Sequence, residues 1–331
     1  MSTTFIQMLQ AAEATGEPLI IDGGLGTALE TRGIDLRHEL WSAALLRDSP
    51  ETLAEVHADF IRAGARIITT ASYQATPPGF ERASMSAEEG RRLIERSVET
   101  AAGAAAAVAA AAVAAEPAGA PAGAVTAGHD SATPALVAGS VGPYGAALGD
   151  GSEYTGDYHL SDEEFATFHR PRIEALVRAG ADLLAIETQP SLAEITVLAG
   201  LAEEFDVPAW LSVTLSDDHH LADGSSLAEV VEAIAGTTAI RAIGVNCVRP
   251  SSVEGALATF AQHTDLPLIA YPNSGESYDA TAMEWQSGPH FDASPGTIAA
   301  WRKAGARLIG GCCRTTPEDI AGLAAAVTAS A

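Results

Sequence analysis

Cys247, Cys312 and Cys313 are the only three cysteines in the chain, and each stands at the end of an apolar, strand-like run. The first closes Gly244-Val-Asn-Cys247, and the other two sit in Gly310-Gly-Cys-Cys-Arg-Thr-Thr-Pro317. An odd cysteine number argues against a disulfide framework. Three thiolates converging on one point would hold Zn²⁺ with a fourth position open, which is the catalytic rather than the structural arrangement. Neighbouring residues of a regular strand point to opposite faces. Cys312 and Cys313 can therefore share an ion only if the backbone turns, and Gly310-Gly311 precede them. The plainer alternative is three buried thiols acting as small apolar side chains. A Zn(Cys)₃ group carries a net formal charge of about −1, so it polarises carbonyls poorly. It is suited to holding a further thiol as thiolate at neutral pH, where a free thiol of pKa about 8.5 is mostly protonated. That chemistry favours alkyl transfer to a thiol from a cationic donor.

Other polar residues also end apolar runs. Asp22 opens Asp22-Gly-Gly-Leu-Gly-Thr27, Thr70 ends the second run and Glu187 ends the fourth. Asp22 and Glu187 suit an ammonium group, and the Gly23 and Gly24 N–H groups a carboxylate. The competing readings are a turn residue for Asp22 and a rim ion pair for Glu187. Gly24-Leu-Gly26 lacks the third glycine of a dinucleotide fingerprint, and His219-His220 lie in a polar loop that reads as solvated.

The elements that must position these groups follow a regular plan. Apolar runs occur at Leu19–Asp22, Arg66–Thr70, Leu136–Val141, Asp182–Thr188, Ala209–Leu215, Ala242–Cys247, Pro267–Tyr271 and Arg307–Gly311. Most are continuous rather than alternating, as strands buried on both faces must be. Helical patterns lie between them at Thr52–Ala63, Ser86–Ala115, Ser161–Ala179, Ser191–Phe205, Ser225–Ala235, Ser251–His263, Pro295–Ala304 and Thr316–Thr328. Most open at a Ser or Thr cap. Arg62-Ala-Gly-Ala-Arg-Ile-Ile, Arg178-Ala-Gly-Ala-Asp-Leu-Leu and Lys303-Ala-Gly-Ala-Arg-Leu-Ile repeat one helix-turn-strand plan. Strands and helices in this alternation predict a single-domain (β/α)8 TIM barrel spanning 1–331, with an open doubly wound sheet as the alternative. The long connections, Leu25–Arg47, Tyr73–Met85, Gly142–Leu160 and Asn273–Ala293, follow strands, where barrel enzymes build their sites. Glu116–Pro134 is a Pro/Gly/Ala stretch expected to be flexible and to lie on the opposite face, with 116–134 contributing nothing to the chemistry.

Composition bounds the rest. The 331 residues are 47% hydrophobic and carry a formal charge of −25, which disfavours nucleic acid and anionic membranes. Lys303 is the only lysine, leaving Schiff-base chemistry no other side chain. The N-terminus lacks a basic signal region, and Thr100–Ala115 is too short to span a bilayer at about 20 residues. A cytoplasmic protein, monomeric or weakly homo-oligomeric, is expected.

Taken with Thr69-Thr-Ala-Ser-Tyr-Gln-Ala-Thr76, Gly139-Ser-Val-Gly-Pro-Tyr-Gly-Ala146, Glu187-Thr188 and Tyr271-Pro-Asn-Ser-Gly-Glu276, the cysteine and Asp22 motifs resemble the homocysteine S-methyltransferase family. The match runs from Leu19 to near the C-terminus. The resemblance implies a zinc-dependent barrel that methylates homocysteine to methionine, with Cys247, Cys312 and Cys313 as zinc ligands. It also implies Asp22, Gly23, Thr70 and Glu187 at homocysteine, the two acids on its amino group. The chain leaves no room for the folate and corrinoid modules of cobalamin-dependent relatives or for the dimerisation extension of betaine-using ones. The wording around Tyr73 and Tyr271 is most similar to members that use S-methylmethionine, with S-adenosylmethionine a second donor. Betaine is the alternative, for which Trp41, Tyr73 and Trp285 could form an aromatic cage. A non-catalytic zinc- or thiol-binding barrel is the reading from another class.

Overall fold

The continuous aliphatic runs become parallel strands buried on both faces, as their composition requires. The structure, a computed structural model, describes residues 3–36, 45–115, 133–275, 277–279, 284–286 and 293–329. Its barrel strands are β1 (Leu19–Ile20), β2 (Ile67–Thr69), β3 (Leu136–Val141), β4 (Leu183–Gln189), β5 (Ala209–Val213), β6 (Ile240–Asn246), β7 (Leu268–Tyr271) and β8 (Ala306–Ile309). Each pairs with its neighbour in sequence, and β8 pairs back to β1. Between β1 and β2 the ring is closed by a bridge at Ile21 and Ile67, with Arg66 N–H donating to Ile20 O at 2.8 Å and Asp22 N–H to Ile67 O at 3.1 Å. The expected barrel is therefore present. β1 is shorter than the run Leu19–Asp22 because the chain leaves the ladder after Ile21.

Among the described residues, one helix of eight residues or more follows each strand and packs around the barrel: α1 (Pro50–Arg62), α2 (Ala87–Ala115), α3 (Asp162–Arg178), α4 (Leu192–Glu204), α5 (Leu227–Ile234), α6 (Pro250–Phe260), α7 (Pro295–Lys303) and α8 (Pro317–Ala329). Ser161 and Ser226 close capping boxes with Glu164 and Glu229. The repeated Ala-Gly-Ala turn is made by Gly64, Gly180 and Gly305 at φ 111°, 90° and 108°, where a side chain would be strained. Helix α2 is long and apolar enough by length and composition to cross a membrane. One face of it, with Leu93, Ile94, Val98 and Ala101, is buried in the layer between barrel and helices. Thr100–Ala115 forms its second half, while 116–132 lie outside the described residues.

A second apolar cluster fills the barrel, with Ile21, Ile67, Leu183, Trp210 and Leu308 at its heart. Phe5 and Leu9 of an N-terminal helix, Thr3–Thr15, join it and plug one end of the barrel. This helix is not among the elements expected from the sequence, because its hydrophobic periodicity is weak.

A buried polar cluster fastens the loops after β2 and β3 to the helical shell. Glu194 of α4 accepts from His169 at 2.6 Å, from the Tyr144 N–H at 2.6 Å and from the Tyr158 hydroxyl. Arg172 donates to His169 Nδ1 at 2.6 Å, to Gly142 O and, at 3.3 Å, to Tyr73 O. Since a guanidinium only donates, Nδ1 accepts and Nε2 carries the hydrogen given to Glu194. His169 is thus neutral, in keeping with a pKa that burial lowers to about 4. Arg172 remains cationic, with burial lowering it only to about 10. Removing one partner of a buried charge pair costs several kcal/mol because the other is stranded. Glu194→Ala is expected to lower the unfolding free energy by about 3 kcal/mol or more, measured by denaturant titration. A loss under about 1 kcal/mol would show that the cluster does not fasten these loops.

Candidate metal centre

The three thiols meet above the strand ends. Cys247 follows β6 directly, while Cys312 and Cys313 enter a turn that begins two residues past β8. The Cys247 Sγ lies 3.2 Å from Cys312 Sγ and 3.5 Å from Cys313 Sγ, and all three sulfurs fall within 4.8 Å of one another. A tetrahedral ion with metal–sulfur distances of about 2.3 Å needs sulfurs about 3.8 Å apart, so the spacing fits a metal ion. Such a set can hold a metal. All three cysteines are free thiols.

The turn that presents two consecutive cysteines to one point is made by backbone strain and by close packing. Cys247 has φ 55° and Arg314 φ 65°, both left-handed conformations that are costly for residues with a Cβ. Gly310 and Gly311 do not serve through positive φ; they serve through missing side chains. A Cβ on Gly310 would lie 2.3 Å from Ile21 Cγ1, and one on Gly311 2.3 Å from Thr315 Oγ1. The turn is then pinned to both flanking strand ends. Cys312 N–H donates to Pro272 O at 2.8 Å, Ser274 N–H to Cys313 O at 3.0 Å, and Gly311 N–H to Asp22 O at 3.1 Å. Crowding makes the thiols share protons unequally. Hydrogen bonds to the two neighbouring thiols push Cys247 up, and those received by Cys313 pull it down.

Two carboxylates face the same mouth. Asp22 is 3% exposed and accepts from the Thr69 N–H at 2.7 Å. Glu187 is 8% exposed; Ser140 donates to its Oε1, and the Tyr271 hydroxyl to its Oε2 at 3.1 Å. Tyr271 is in turn fixed by the Trp210 indole at 3.0 Å and by Ser212. Burial pushes Asp22 well up and Glu187 to about 7, and neither is paired with a cation among the described residues. Asn246 spans the floor, donating to Thr188 Oγ1 at 2.7 Å and accepting from the Thr188 N–H at 2.7 Å.

Not every residue singled out in the sequence lies in this mouth as a free ligand group. The Thr70 hydroxyl is buried between Ser72, at 2.7 Å, and the Ser140 N–H, at 3.0 Å, whereas its neighbour Thr69 braces Asp22. Gly23 packs so tightly that a Cβ would meet Phe60 Cε1 at 2.9 Å, and the Gly24 N–H is already given to Thr315. His219 bonds Thr259 and His220 bonds Asp217, both in or beside a surface hairpin. Of the three cage aromatics, Tyr73 is near the thiols, Trp41 lies outside the described residues and Trp285 is described only in its backbone. Ser140, Asn246, Tyr154 and Tyr271 also line the site without having been singled out from the sequence; the strand-end positions of Ser140 and Tyr271 were the signal for two of them.

Comparison with known proteins agrees with this geometry. The homocysteine S-methyltransferase family profile matches residues 19–327. The homocysteine S-methyltransferase of Escherichia coli is 48% identical over 309 residues, covering 93% of this chain and 94% of its own. The homocysteine S-methyltransferase YbgG of Bacillus subtilis is 39% identical over 308 residues, covering 93% of each chain. Among solved structures, the metallated form of the homocysteine methyltransferase MmuM from E. coli superposes with a TM-score of 0.82 at 45% identity, covering 96% of this chain and 99% of that one. With the profile covering nearly the whole barrel and these relatives matched over more than nine-tenths of their length, the chain belongs to the homocysteine S-methyltransferase family and is a methyltransferase.

Proposed function

We propose that this enzyme transfers a methyl group from S-methylmethionine to the thiol of homocysteine at a zinc ion held by Cys247, Cys312 and Cys313. S-adenosylmethionine is a second sulfonium donor under the same reading. The observation that carries it is the convergence of three thiols and two cation-free buried carboxylates on one barrel mouth. When bound, the ion supplies the positive charge that lets the acceptor thiol lose its proton at neutral pH.

The chain's own side chains do the rest. Asp22 and Glu187 hold the acceptor's ammonium, Thr69 orienting the first and Ser140 and Tyr271 the second. In the transfer, a bond forms between the homocysteine sulfur and the methyl carbon as the donor's carbon–sulfur bond breaks. The donor sulfur keeps that electron pair and leaves as a neutral thioether. The acceptor's negative charge and the donor's positive charge cancel, so the reaction is helped by a site that excludes water and fixes the in-line approach.

Incubation with homocysteine and each of three donors tests the reading. Methionine is expected from S-methylmethionine with a kcat/KM at least about tenfold above that for betaine. Betaine preference, or binding without methionine, overturns it. Cys247→Ser is expected to lose bound metal and methionine formation together, by elemental analysis and product assay; an active, metal-free variant would remove the ion from the mechanism.

The carboxylate state adds a pH dependence. A group whose folded pKa is raised to about 7 is ionised only above that value, and it must be ionised to hold an ammonium. Homocysteine KM should therefore rise as pH falls through about 7. In Glu187→Gln the KM should be raised about tenfold and lose that part of its pH dependence. An unchanged KM in the variant would take Glu187 out of acceptor binding.

A further inference from the structure

Beside the thiols, on the side of the loop between β3 and α3, stands a carboxylate that the site described so far does not use. Glu153 lies in a 3₁₀ turn, Ser152–Tyr154, and its Oε2 is buried with no hydrogen-bond partner. No cation is paired with it among the described residues. A buried, unsatisfied carboxylate oxygen is costly, and the structure spends close packing to keep it in place. A Cβ on Gly145 would lie 2.5 Å from Glu153 N, so only a glycine admits the turn.

Two tyrosines stand with it. The Tyr154 hydroxyl is 3.8 Å from Cys247 Sγ. The Tyr73 ring rests on Gly142, where a Cβ would be 2.6 Å from Cε2, and its backbone carbonyl is held by Arg172. The Glu153 charge is felt at both phenols and at the Cys313 thiol, so all three groups lie within electrostatic reach of it.

We propose that Glu153, with the rings of Tyr73 and Tyr154, is the subsite that selects the positive charge of the methyl donor. This rests on the sulfonium-donor reading above and names the residues that would enforce it. A sulfonium has no N–H to donate, so it cannot be recognised by directional hydrogen bonds of the kind that fix Asp22 and Glu187. It is recognised by Coulomb attraction and by aromatic faces, and a carboxylate oxygen without a fixed partner beside two phenol rings supplies both. The same subsite disfavours neutral thioethers, including the methionine produced. Because the donor loses its charge on transfer, Glu153 holds the reactant more tightly than the product. The charge is already partly lost in the transition state, so removal of Glu153 should raise donor KM without lowering kcat.

Calorimetry on the full-length, metal-loaded protein tests this with two ligands, S-methylmethionine and its carbon isostere 2-amino-5-methylhexanoate, in which CH replaces S⁺. Wild type is expected to prefer the sulfonium by about tenfold or more. In Glu153→Gln the preference should fall to within about twofold, with binding of the neutral isostere unchanged, and Glu153→Asp should retain most of it. Survival of the preference in Glu153→Gln overturns the proposal. So does an equal loss for both ligands, which would mean a structural or ammonium-binding role, and so does a wild type without preference. A wild type that prefers the sulfonium yet forms no methionine from it would instead sink the methyl-transfer reading and leave this subsite standing.

Discussion

Negative charge gathered without an internal counter-charge is the constraint on which this structure turns. Three thiols, Asp22 and Glu187 share one barrel mouth, and none of the described basic side chains is paired with the two carboxylates. Burial therefore lifts both carboxylates toward their neutral forms, and hydrogen bonding among the crowded thiols, with burial added, does the same to Cys247 and Cys312. Such a mouth is complete only when positive charge arrives from outside, as a metal ion, an ammonium or a sulfonium. The methyl-transfer reading uses all three, and of these only the sulfonium charge is lost in the reaction, cancelled by that of the acceptor sulfur. In this site electrostatic repulsion among the gathered acids and affinity for cationic ligands are one property.

Holding like charges together takes a stiff frame, and the frame is visible in the backbone. Thr188, Cys247 and Arg314 all adopt left-handed φ, at 59°, 55° and 65°, at or just beyond strand ends. Those conformations persist because the N–H groups of Thr188, Cys247 and Arg314 are each given to a fixed acceptor, Asn246 Oδ1, Tyr271 O and Thr27 Oγ1 respectively. Farther out, the Glu194–His169–Arg172 cluster performs the same service for the loops carrying Tyr73 and Tyr144. Polar side chains buried in the helical shell thus set the position of groups at the mouth without touching it.

Much of this was legible in the sequence. A β/α alternation with doubly buried strands announces a barrel, and residues just past strand ends must lie at one face, so the cysteines, Asp22 and Glu187 could be named directly. What was not legible depends on register between strands distant in sequence. That Tyr271 on β7 reaches across to Glu187 on β4, or that Thr69 and not Thr70 bonds Asp22, follows from the tilt and stagger of the closed barrel. The N-terminal helix was missed for a different reason: beside the buried Phe5, Leu9 and Ala12 the segment carries Ile6, Met8, Ala11 and Ala14, none of them fully buried, so its apolar residues mark no single face.

The barrel's closure carries a last consequence. Most adjacent strands share ladders of several residues, whereas β1 and β2 meet through one bridge and a pair of backbone hydrogen bonds. The carboxylate of Asp22 extends that seam by one more bond, to Thr69. The cylinder is thus least tied on the two sides of β1, which meets β8 over two residue pairs and β2 over one bridge, and the upper end of the weaker seam is Asp22. Under the acceptor role proposed for that carboxylate, an amino acid seated there would act as a rivet, fastening the stave that the polypeptide itself leaves loosest.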